Sequence, residues 1–284
     1  MKKSAKGSEK NPIFFAYVST FLCIFAILNL RLMAAHKKIY GLLGLKLGHS
    51  FSETYFNQKF ANEHIDAEYI NFEIDSINRI TEILDKYENL CGLNVTIPYK
   101  EAVIPFLNEI DDDAKAIGAV NVIKITRKGG DVTLKGYNSD AIGFADSIRS
   151  EINDKRTSAL ILGTGGAAKA IAYALNQLGV STHFVSRHKR EKTFVYEELT
   201  KSEIKAHKII VNTTPLGMYP NVDSCPDIPY RFITSEHLCY DLIYNPDETL
   251  FMKKCREAGA EVKNGLEMLL LQAFVSYQIW NNQR

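Results

Sequence analysis

A glycine-rich turn between an apolar strand and a helix constrains the fold of this chain more than any other feature. Residues 159–179 read ALILGTGGAAKAIAYALNQLG, an apolar run followed by a glycine turn and an alanine-rich stretch that ends at Gly179. This order is typical of the first strand, turn and helix of a dinucleotide-binding unit, although glycine turns without a ligand are also common. Such a unit needs a parallel sheet with helices on its faces, since parallel strands are joined by long crossover connections.

The small residues of this turn have distinct expected roles. Gly163 allows a tight turn, Gly165 lets a pyrophosphate approach the backbone, and Ala168 lets the helix pack closely on its strand. The helix N-terminus offers free N–H groups and the positive end of its dipole to the phosphates. We therefore predict a cofactor-binding turn that comprises Gly163, Thr164, Gly165, Gly166 and Ala167.

The next strand indicates which dinucleotide would bind. An NAD site usually carries Asp or Glu about 20 residues after the glycines, where it holds the ribose 2′-hydroxyl. Here the strand ends with VSRHKR at residues 185–190. The positive charges of Arg187, Lys189 and Arg190 suit a 2′-phosphate, which favours NADP. A solvated basic turn is the alternative, because charge runs are usually surface features.

The composition excludes several other classes of protein. Over 284 residues, 34 Lys and Arg balance 33 Asp and Glu, so the charge indicates neither nucleic-acid binding nor an acidic tail. The hydrophobic fraction of 46% suffices for the core of one large domain or two ordinary ones. The cysteines are widely spaced and indicate reduced thiols rather than disulfides or a zinc site; they are Cys23, Cys91, Cys225, Cys239 and Cys255.

Strand-like and helix-like segments alternate from Ile39 onward, which predicts an α/β architecture with largely parallel sheets. In the first half, a hairpin is predicted to turn at Gly129 and Gly130, and a helix to begin with Ser52 as its N-cap. The predicted strands are 39–44, 67–74, 91–97, 159–162, 182–187, 208–214 and 237–244. The predicted helices are 52–65, 77–90, 142–152, 166–178 and 265–280, the last so apolar that it must pack between other elements.

Lys100 and Asp140 are candidates for proton transfer. The segment GLNVTIPYK at residues 92–100 runs from an apolar strand to a proline and then a lysine, and Pro98 is predicted to end the strand and start a helix. A partly desolvated lysine can exchange a proton with a substrate oxygen, and a neighbouring carboxylate such as Asp140 in GYNSDAIGF can orient it. By spacing alone, two solvated surface residues are the alternative.

Seven segments of the chain resemble shikimate dehydrogenases, in the family's order and with matching intervals over about residues 39–284. They are GLNVTIPYKEAV, AIGAVNVI, GYNSDAIGF, LILGTGGAAKA, VNTTPLGM, DLIYNPDETLF and NGLEMLLLQAF. The resemblance implies an α/β fold with an N-terminal substrate domain and a C-terminal Rossmann NADP-binding domain. It further implies an NADP-dependent oxidoreductase that reversibly reduces 3-dehydroshikimate to shikimate, in the biosynthesis of chorismate and aromatic amino acids.

With this resemblance the chain divides into four predicted segments. They are a hydrophobic leader at 1–38, a substrate-binding catalytic domain at 39–140, an NADP-binding Rossmann domain at 141–264, and a C-terminal helix at 265–284 that returns to the first domain. No metal is implied, because the polar cluster contains no His/Cys ligand set. The oligomeric state is not predicted.

The resemblance also implies roles for individual residues. Lys100 matches the catalytic lysine and Asp140 its partner, and Pro98 places Lys100 and Thr96 at the lip of a cleft. The substrate-binding positions are Ser50 and Ser52, for the carboxylate, with Thr96, Asn121, Tyr244 and Gln272. The remaining cofactor positions are Ser186, Arg187 and Lys189 in the basic turn, and Leu242 and Gly265 near the nicotinamide.

Some positions depart from the family pattern. Lys46 and Glu53 stand where relatives usually have proline, which leaves the shape of the substrate loop open. VSRHKR replaces the usual Asn-Arg-Thr, so NADP preference depends mainly on Arg187. The nearby His49 is expected to serve structure rather than catalysis.

The N-terminus allows three interpretations. Residues 11–30 read NPIFFAYVSTFLCIFAILNL, which is long enough to cross a bilayer as a helix, so a signal peptide and a membrane anchor are two of them. We favour the third, an over-extended start with Met33 as the first residue, because the implied cofactor and substrate belong in the cytoplasm. Membrane contact is expected only if the leader is genuine.

Rival functions are a quinate/shikimate dehydrogenase of broader specificity and a non-catalytic, membrane-tethered shikimate-binding protein.

Overall fold

A computed structural model describes residues 37–48, 50–154 and 156–283. The leader up to residue 36 and His49 lie outside these ranges, so the expectations for them stay predictions. Across the described ranges, helices are all too short or too polar to span a bilayer.

The described residues form two six-stranded sheets with helices packed on them. The strands are Lys38–Gly44 (β1), Ala67–Glu73 (β2), Leu90–Val95 (β3), Glu109–Ile110 (β4), Val122–Lys128 (β5), Asp131–Tyr137 (β6), Ser158–Leu162 (β7), Ser181–Ser186 (β8), Thr193–Val195 (β9), Ile209–Asn212 (β10), Leu238–Asp241 (β11) and Glu261–Lys263 (β12). The α-helices are Phe51–Asn62 (α1), Ile80–Lys86 (α2), Tyr99–Ala102 (α3), Asp112–Ile117 (α4), Ser139–Ile148 (α5), Gly166–Gln177 (α6), Lys201–Ala206 (α7), Leu250–Glu257 (α8) and Leu266–Trp280 (α9). The predicted α/β class is confirmed.

The first sheet is mixed rather than largely parallel. Its order is β2-β1-β3-β5-β6-β4, in which β1 pairs in parallel with β2 and β3, whereas β5 is antiparallel to both β3 and β6. The predicted hairpin of β5 and β6 is confirmed and causes the reversal. Its turn residues Gly129 and Gly130 both have positive φ, at 59° and 96°, which is the backbone that a two-residue hairpin turn requires.

The second sheet is parallel throughout and has the order β12-β11-β10-β7-β8-β9. The chain starts in the middle at β7, winds outward to β9, and then returns to the other side of β7 at β10. Strand order therefore reverses between β7 and β10, and in doubly wound sheets a ligand crevice opens at the carboxyl ends of the strands at this point. Gly163 follows β7 at that edge and Thr213 follows β10. The architecture thus places the glycine turn at the crevice.

The last helix, α9, returns from the second sheet to the first, as predicted. Near its C-terminal end, Trp280 stacks on Tyr40 of β1 with ring centroids 4.8 Å apart, and its indole N–H donates to the Ile123 carbonyl at 3.1 Å. The N-terminal half of α9 packs tightly on α5. The two helices are so close that a Cβ added at Gly143 would lie 2.8 Å from the Gln272 backbone nitrogen. The helix thereby connects both units at the edge of the site described below.

Several elements differ from their prediction. The helix predicted from Ser52 begins at Phe51, and its N-cap is Ser50, whose hydroxyl oxygen accepts the Glu53 N–H at 3.2 Å; the N-cap assignment to Ser52 was wrong. The predicted helix 77–90 ends at Lys86, because residues from Leu90 onward pair with β1. The short strands and helices that sequence patterns did not indicate are β4, β9, β12, α4, α7 and α8.

A buried carboxyl, Asp241, joins the ends of β10 and β11. It accepts hydrogen bonds from the Thr249 hydroxyl at 2.6 Å, the Ile243 N–H at 3.0 Å and the Asn212 side-chain amide at 3.1 Å. Burial raises its pKa from 3.8 to about 6, and the three hydrogen bonds only partly oppose this shift. Ionised Asp241 therefore costs the folded protein stability.

When pH falls from 7.5 to 5, we expect protonation of Asp241 to raise the free energy of unfolding of the protein by about 1 kcal/mol. Because its pKa is higher in the folded protein, the contribution is complete below the unfolded pKa and is lost as pH rises through about 6. Urea unfolding of the wild type and Asp241→Asn at both pH values measures it. The free energy of unfolding of the wild type minus that of Asp241→Asn should be larger at pH 5 than at pH 7.5. A difference independent of pH would contradict the assignment.

Candidate active site

A cavity of about 430 Å³ lies between the two units, at the carboxyl ends of β1 and β3 and beside the start of α6. Eleven of the residues predicted from the sequence line it: Ser50, Ser52, Thr96, Lys100, Asn121, Asp140, Ala167, Leu242, Tyr244, Gly265 and Gln272. These residues come from distant parts of the chain, so the fold assembles one site from separately predicted positions. Their individual roles stay predictions.

Lys100 and Asp140 form an ion pair at the wall of this cavity. The Lys100 Nζ lies 2.6 Å from the Asp140 Oδ2, and the two side chains are only 15% and 8% exposed. Lys100 belongs to α3, which begins directly after Pro98 as predicted, while Asp140 lies in the first turn of α5, where the helix dipole favours a carboxylate. The arrangement holds a poorly solvated ammonium beside the cavity, as a proton-transfer group requires.

Asn121 is held by hydrogen bonds that fix the orientation of its amide. Its Oδ1 accepts the Ser139 N–H at 2.7 Å, and its Nδ2 donates to the Ser139 hydroxyl oxygen at 3.0 Å. Because Ser139 precedes Asp140 in α5, the same contacts also position the Asp140 backbone. Asn121 can therefore present a fixed amide to a ligand hydroxyl.

Asn94 is a site residue that the sequence analysis missed. It lies in β3, lines the cavity and is 6% exposed. Its Oδ1 accepts from the Tyr69 hydroxyl at 2.9 Å, and its Nδ2 donates to the Ser276 hydroxyl oxygen, also at 2.9 Å. The available signal was a polar residue inside an otherwise apolar strand. Other lining residues that were not predicted include Leu47, Phe51, Met218, Met268 and Leu269.

The two serines of the predicted carboxylate site lie at the start of α1. The Ser50 hydroxyl oxygen accepts from the backbone as the helix cap, which leaves its hydrogen available to donate into the cavity. Tyr244 lies on the same side, with its ring in edge-to-face contact with Phe51 at 5.9 Å. Burial raises the pKa of Tyr244, so its hydroxyl remains a neutral donor near pH 7.

The glycine turn fits a dinucleotide phosphate. Gly165 is the N-cap of α6, a helix of 12 residues, and a Cβ at this position would meet no atom of the described residues within 4 Å. The backbone N–H groups of the helix start are therefore open to an anion. A Cβ at Gly166 would lie 3.1 Å from the Lys100 Cβ, which shows that the turn packs directly beside the candidate catalytic lysine.

The basic turn after β8 is only partly available to a phosphate. Ser186 ends the strand and is buried, whereas Arg187 is exposed. The Lys189 ammonium is held by both oxygens of Glu198, at 2.8 and 2.7 Å. A 2′-phosphate would compete with this carboxylate for Lys189 but not for Arg187.

Alanine substitutions at Gly163 and Gly165 should separate folding from cofactor binding. Gly163 has φ +118° and its Cβ would lie 2.6 Å from the Thr213 hydroxyl, so Gly163→Ala should lower the free energy of unfolding by about 1–3 kcal/mol. Gly165 has an ordinary φ of −79° and open space, so Gly165→Ala should change stability by less than about 0.5 kcal/mol. Gly165→Ala should nevertheless weaken NADP binding, as measured by calorimetry. Its methyl group would occupy the space beside the N-terminus of α6, where we expect the cofactor phosphates to bind. Equal stability of the two variants would contradict this assignment.

A family model described as the shikimate dehydrogenase substrate binding domain matches residues 42–123. The shikimate dehydrogenase (NADP(+)) of Desulforamulus reducens is 33% identical over 267 residues, which cover 86% of this chain and 89% of that protein. The chain belongs to the shikimate dehydrogenase family. The family, fold class and NADP-dependent oxidoreductase class predicted from the sequence are thereby confirmed.

Solved structures agree with this family assignment. The chorismate mutase/shikimate 5-dehydrogenase fusion protein of Clostridium acetobutylicum is similar with a TM-score of 0.76 and 36% identity, over 87% of this chain and 92% of that one. The shikimate 5-dehydrogenase of Thermus thermophilus, determined in complex with NADP(H) and shikimate, gives a TM-score of 0.75 at 25% identity, over 86% and 94% of the two chains. The likeness therefore extends over both sheets.

Proposed function

We propose that this member of the shikimate dehydrogenase family reversibly reduces 3-dehydroshikimate to shikimate with NADPH, in the biosynthesis of chorismate and aromatic amino acids. The observation that carries the proposal is the Lys100–Asp140 pair, 2.6 Å apart, at the wall of the cavity and beside the glycine turn. A reversible reduction of a ketone needs a proton donor beside the carbonyl oxygen and a dinucleotide turn within the same crevice.

Lys100 supplies the proton in this mechanism. A dinucleotide held by the glycine turn would supply hydride chemistry at the carbonyl carbon, so negative charge would develop on the carbonyl oxygen. The Lys100 ammonium donates a proton to that oxygen and forms the hydroxyl of shikimate. Asp140 keeps the ammonium in position through their ion pair. Water then returns a proton to Lys100, and the reverse reaction uses the same groups.

The other lining residues bind and orient the substrate in this proposal. Ser50 and Ser52 donate their hydroxyl hydrogens to the carboxylate. Asn121, Thr96 and Gln272 bind the ring hydroxyls, and Tyr244 closes the side of the site nearest Phe51. These side chains are neutral donors and acceptors, which suits a ligand with three hydroxyl groups.

The crevice of the second sheet would hold the cofactor in this proposal. The turn Gly163–Ala167 and the start of α6 would bind the pyrophosphate, Arg187 and Ser186 would bind the adenosine 2′-phosphate, and Leu242 and Gly265 would contact the nicotinamide. A Cβ at Gly265 would overlap the Leu242 carbonyl oxygen, so these two segments are in direct contact. The domain boundaries at 140/141 and 264/265 and the cytoplasmic location belong to the same proposal.

Initial-rate measurements with the purified full-length chain test the function. The absorbance of the reduced nicotinamide should rise with shikimate and NADP⁺, and rise more slowly when NAD⁺ replaces NADP⁺ or quinate replaces shikimate. If quinate with NAD⁺ turns over faster than shikimate with NADP⁺, the protein is instead a quinate/shikimate dehydrogenase. Shikimate binding by calorimetry without turnover with either cofactor would replace the enzyme by a binding protein.

A further inference from the structure

The charge of the active-site cavity is not balanced by the candidate catalytic pair. Among the residues that the structure describes, three charged ones line the cavity: Lys46, Lys100 and Asp140. Lys100 and Asp140 neutralise each other at 2.6 Å, so Lys46 leaves the lining with one net positive charge. A cavity of this kind favours a ligand that carries one negative charge.

Lys46 lies on the loop between β1 and α1, and this loop has a fixed backbone. The Glu73 Oε1 accepts the N–H groups of Leu47 at 2.6 Å and Gly48 at 3.1 Å. Gly48 has φ +47°, a left-handed conformation that glycine adopts without strain. These contacts anchor the turn that carries Lys46 at the cavity.

The Lys46 ammonium itself is available to a ligand. No carboxylate lies within salt-bridge distance of it in the part of the chain that the structure describes, and the residue is exposed. The pKa of Glu73 is lowered mainly by the hydrogen bonds from the two backbone N–H groups, and the positive charge of Lys46 makes a smaller contribution. The Glu73 carboxylate thus serves mainly to hold the loop.

We propose that Lys46 is a specificity-determining residue that selects substrates with a carboxylate; the inference rests on the function proposed above. Ser50 and Ser52 can donate hydrogen bonds to a carboxylate but carry no charge. Without Lys46, the bound substrate would place a negative charge in a cavity whose other charges already cancel, and such a charge is costly when partly removed from water. Lys46 balances that charge from the same loop that leads into the serine pair.

Kinetics of full-length Lys46 variants test this role. Lys46→Gln removes the charge at similar length, Lys46→Arg keeps it, and Lys128→Gln is a matched control on the exposed end of β5. Each protein is assayed with shikimate and with its uncharged methyl ester, at low and high ionic strength. The readout is the ratio of kcat/KM for the acid to kcat/KM for the ester.

Lys46→Gln should raise the KM for shikimate about five- to tenfold, with kcat and the KM for NADP⁺ within about twofold of wild type. It should lower the acid-to-ester ratio by the same factor and weaken the dependence of that ratio on salt. Lys46→Arg and Lys128→Gln should resemble the wild type. An unchanged ratio in Lys46→Gln would overturn the role of Lys46 while the function stands, whereas a wild type that neither binds nor oxidises shikimate would overturn both.

Discussion

Lys100→Met should lower kcat for shikimate oxidation about 10³-fold and leave the affinity for NADP⁺ within about twofold of wild type. Methionine keeps the unbranched stem of lysine up to Cε but offers no proton and no charge, and loss of a positioned acid or base costs about 10²–10⁴ in rate. The substrate hydroxyl would then lose its proton only to water. Steady-state kinetics in both directions and calorimetric titration with NADP⁺ measure the two effects.

The same substitution also leaves Asp140 without its cation in a site where its side chain is 8% exposed. An unpaired carboxylate at this depth is strongly destabilising, so loss of activity could reflect loss of structure. The double variant Lys100→Met/Asp140→Asn removes both charges and should recover most of the lost stability without recovering activity. Lys128→Met serves as the surface control. A folded double variant with more than a tenth of wild-type kcat would contradict proton transfer by Lys100.

Lys100 and Asp140 were proposed as a pair from local patterns together with the resemblance to shikimate dehydrogenases. Pro98 ends an apolar strand just before Lys100. The helix near Asp140 was predicted to begin at residue 142, whereas α5 begins at Ser139 with Asn138 as its N-cap, so Asp140 lies in its first turn. Their 2.6 Å contact was not predictable from spacing, since the residues are 40 positions apart and meet only when α3 and α5 pack together. Local patterns made the two residues candidates, the resemblance to shikimate dehydrogenases implied their roles, and tertiary packing brings them into contact.

Residues whose environment depends on distant partners were harder to predict. Asn94 is held in part by Ser276, which is 182 positions away, so its polarity within an apolar strand does not by itself show which residues it contacts in the site. Ser50 and Ser52 have equal capping propensity, and only the observed bond to the Glu53 N–H distinguishes them. Lys189 was part of a basic turn in the sequence, but its pairing with Glu198 depends on the fold of residues 193–198. The short strand β12 is recognisable only from its parallel pairing with β11, which no local sequence pattern shows.

The last helix connects the stability of the first sheet to the shape of the active site. Residues of its N-terminal half, including Gln272, line the cavity, whereas Trp280 at its end is 5% exposed in the core of the first sheet. The Trp280 ring lies against Gly92 so closely that a Cβ there would overlap it. Anchoring at this end therefore holds the cavity-lining half of α9 in place.

Trp280→Ala should lower the free energy of unfolding by about 3–5 kcal/mol, because it removes a large buried ring and its hydrogen bond to the Ile123 carbonyl. Phe274→Ala on the same helix is the matched control, since Phe274 is 49% exposed and its loss should cost less than about 1 kcal/mol. Urea unfolding measures both. In the folded fraction of Trp280→Ala, the KM for shikimate should rise more than the KM for NADP⁺, because Gln272 loses its support. Similar stability losses in the two variants would show that α9 is not anchored through its C-terminal end.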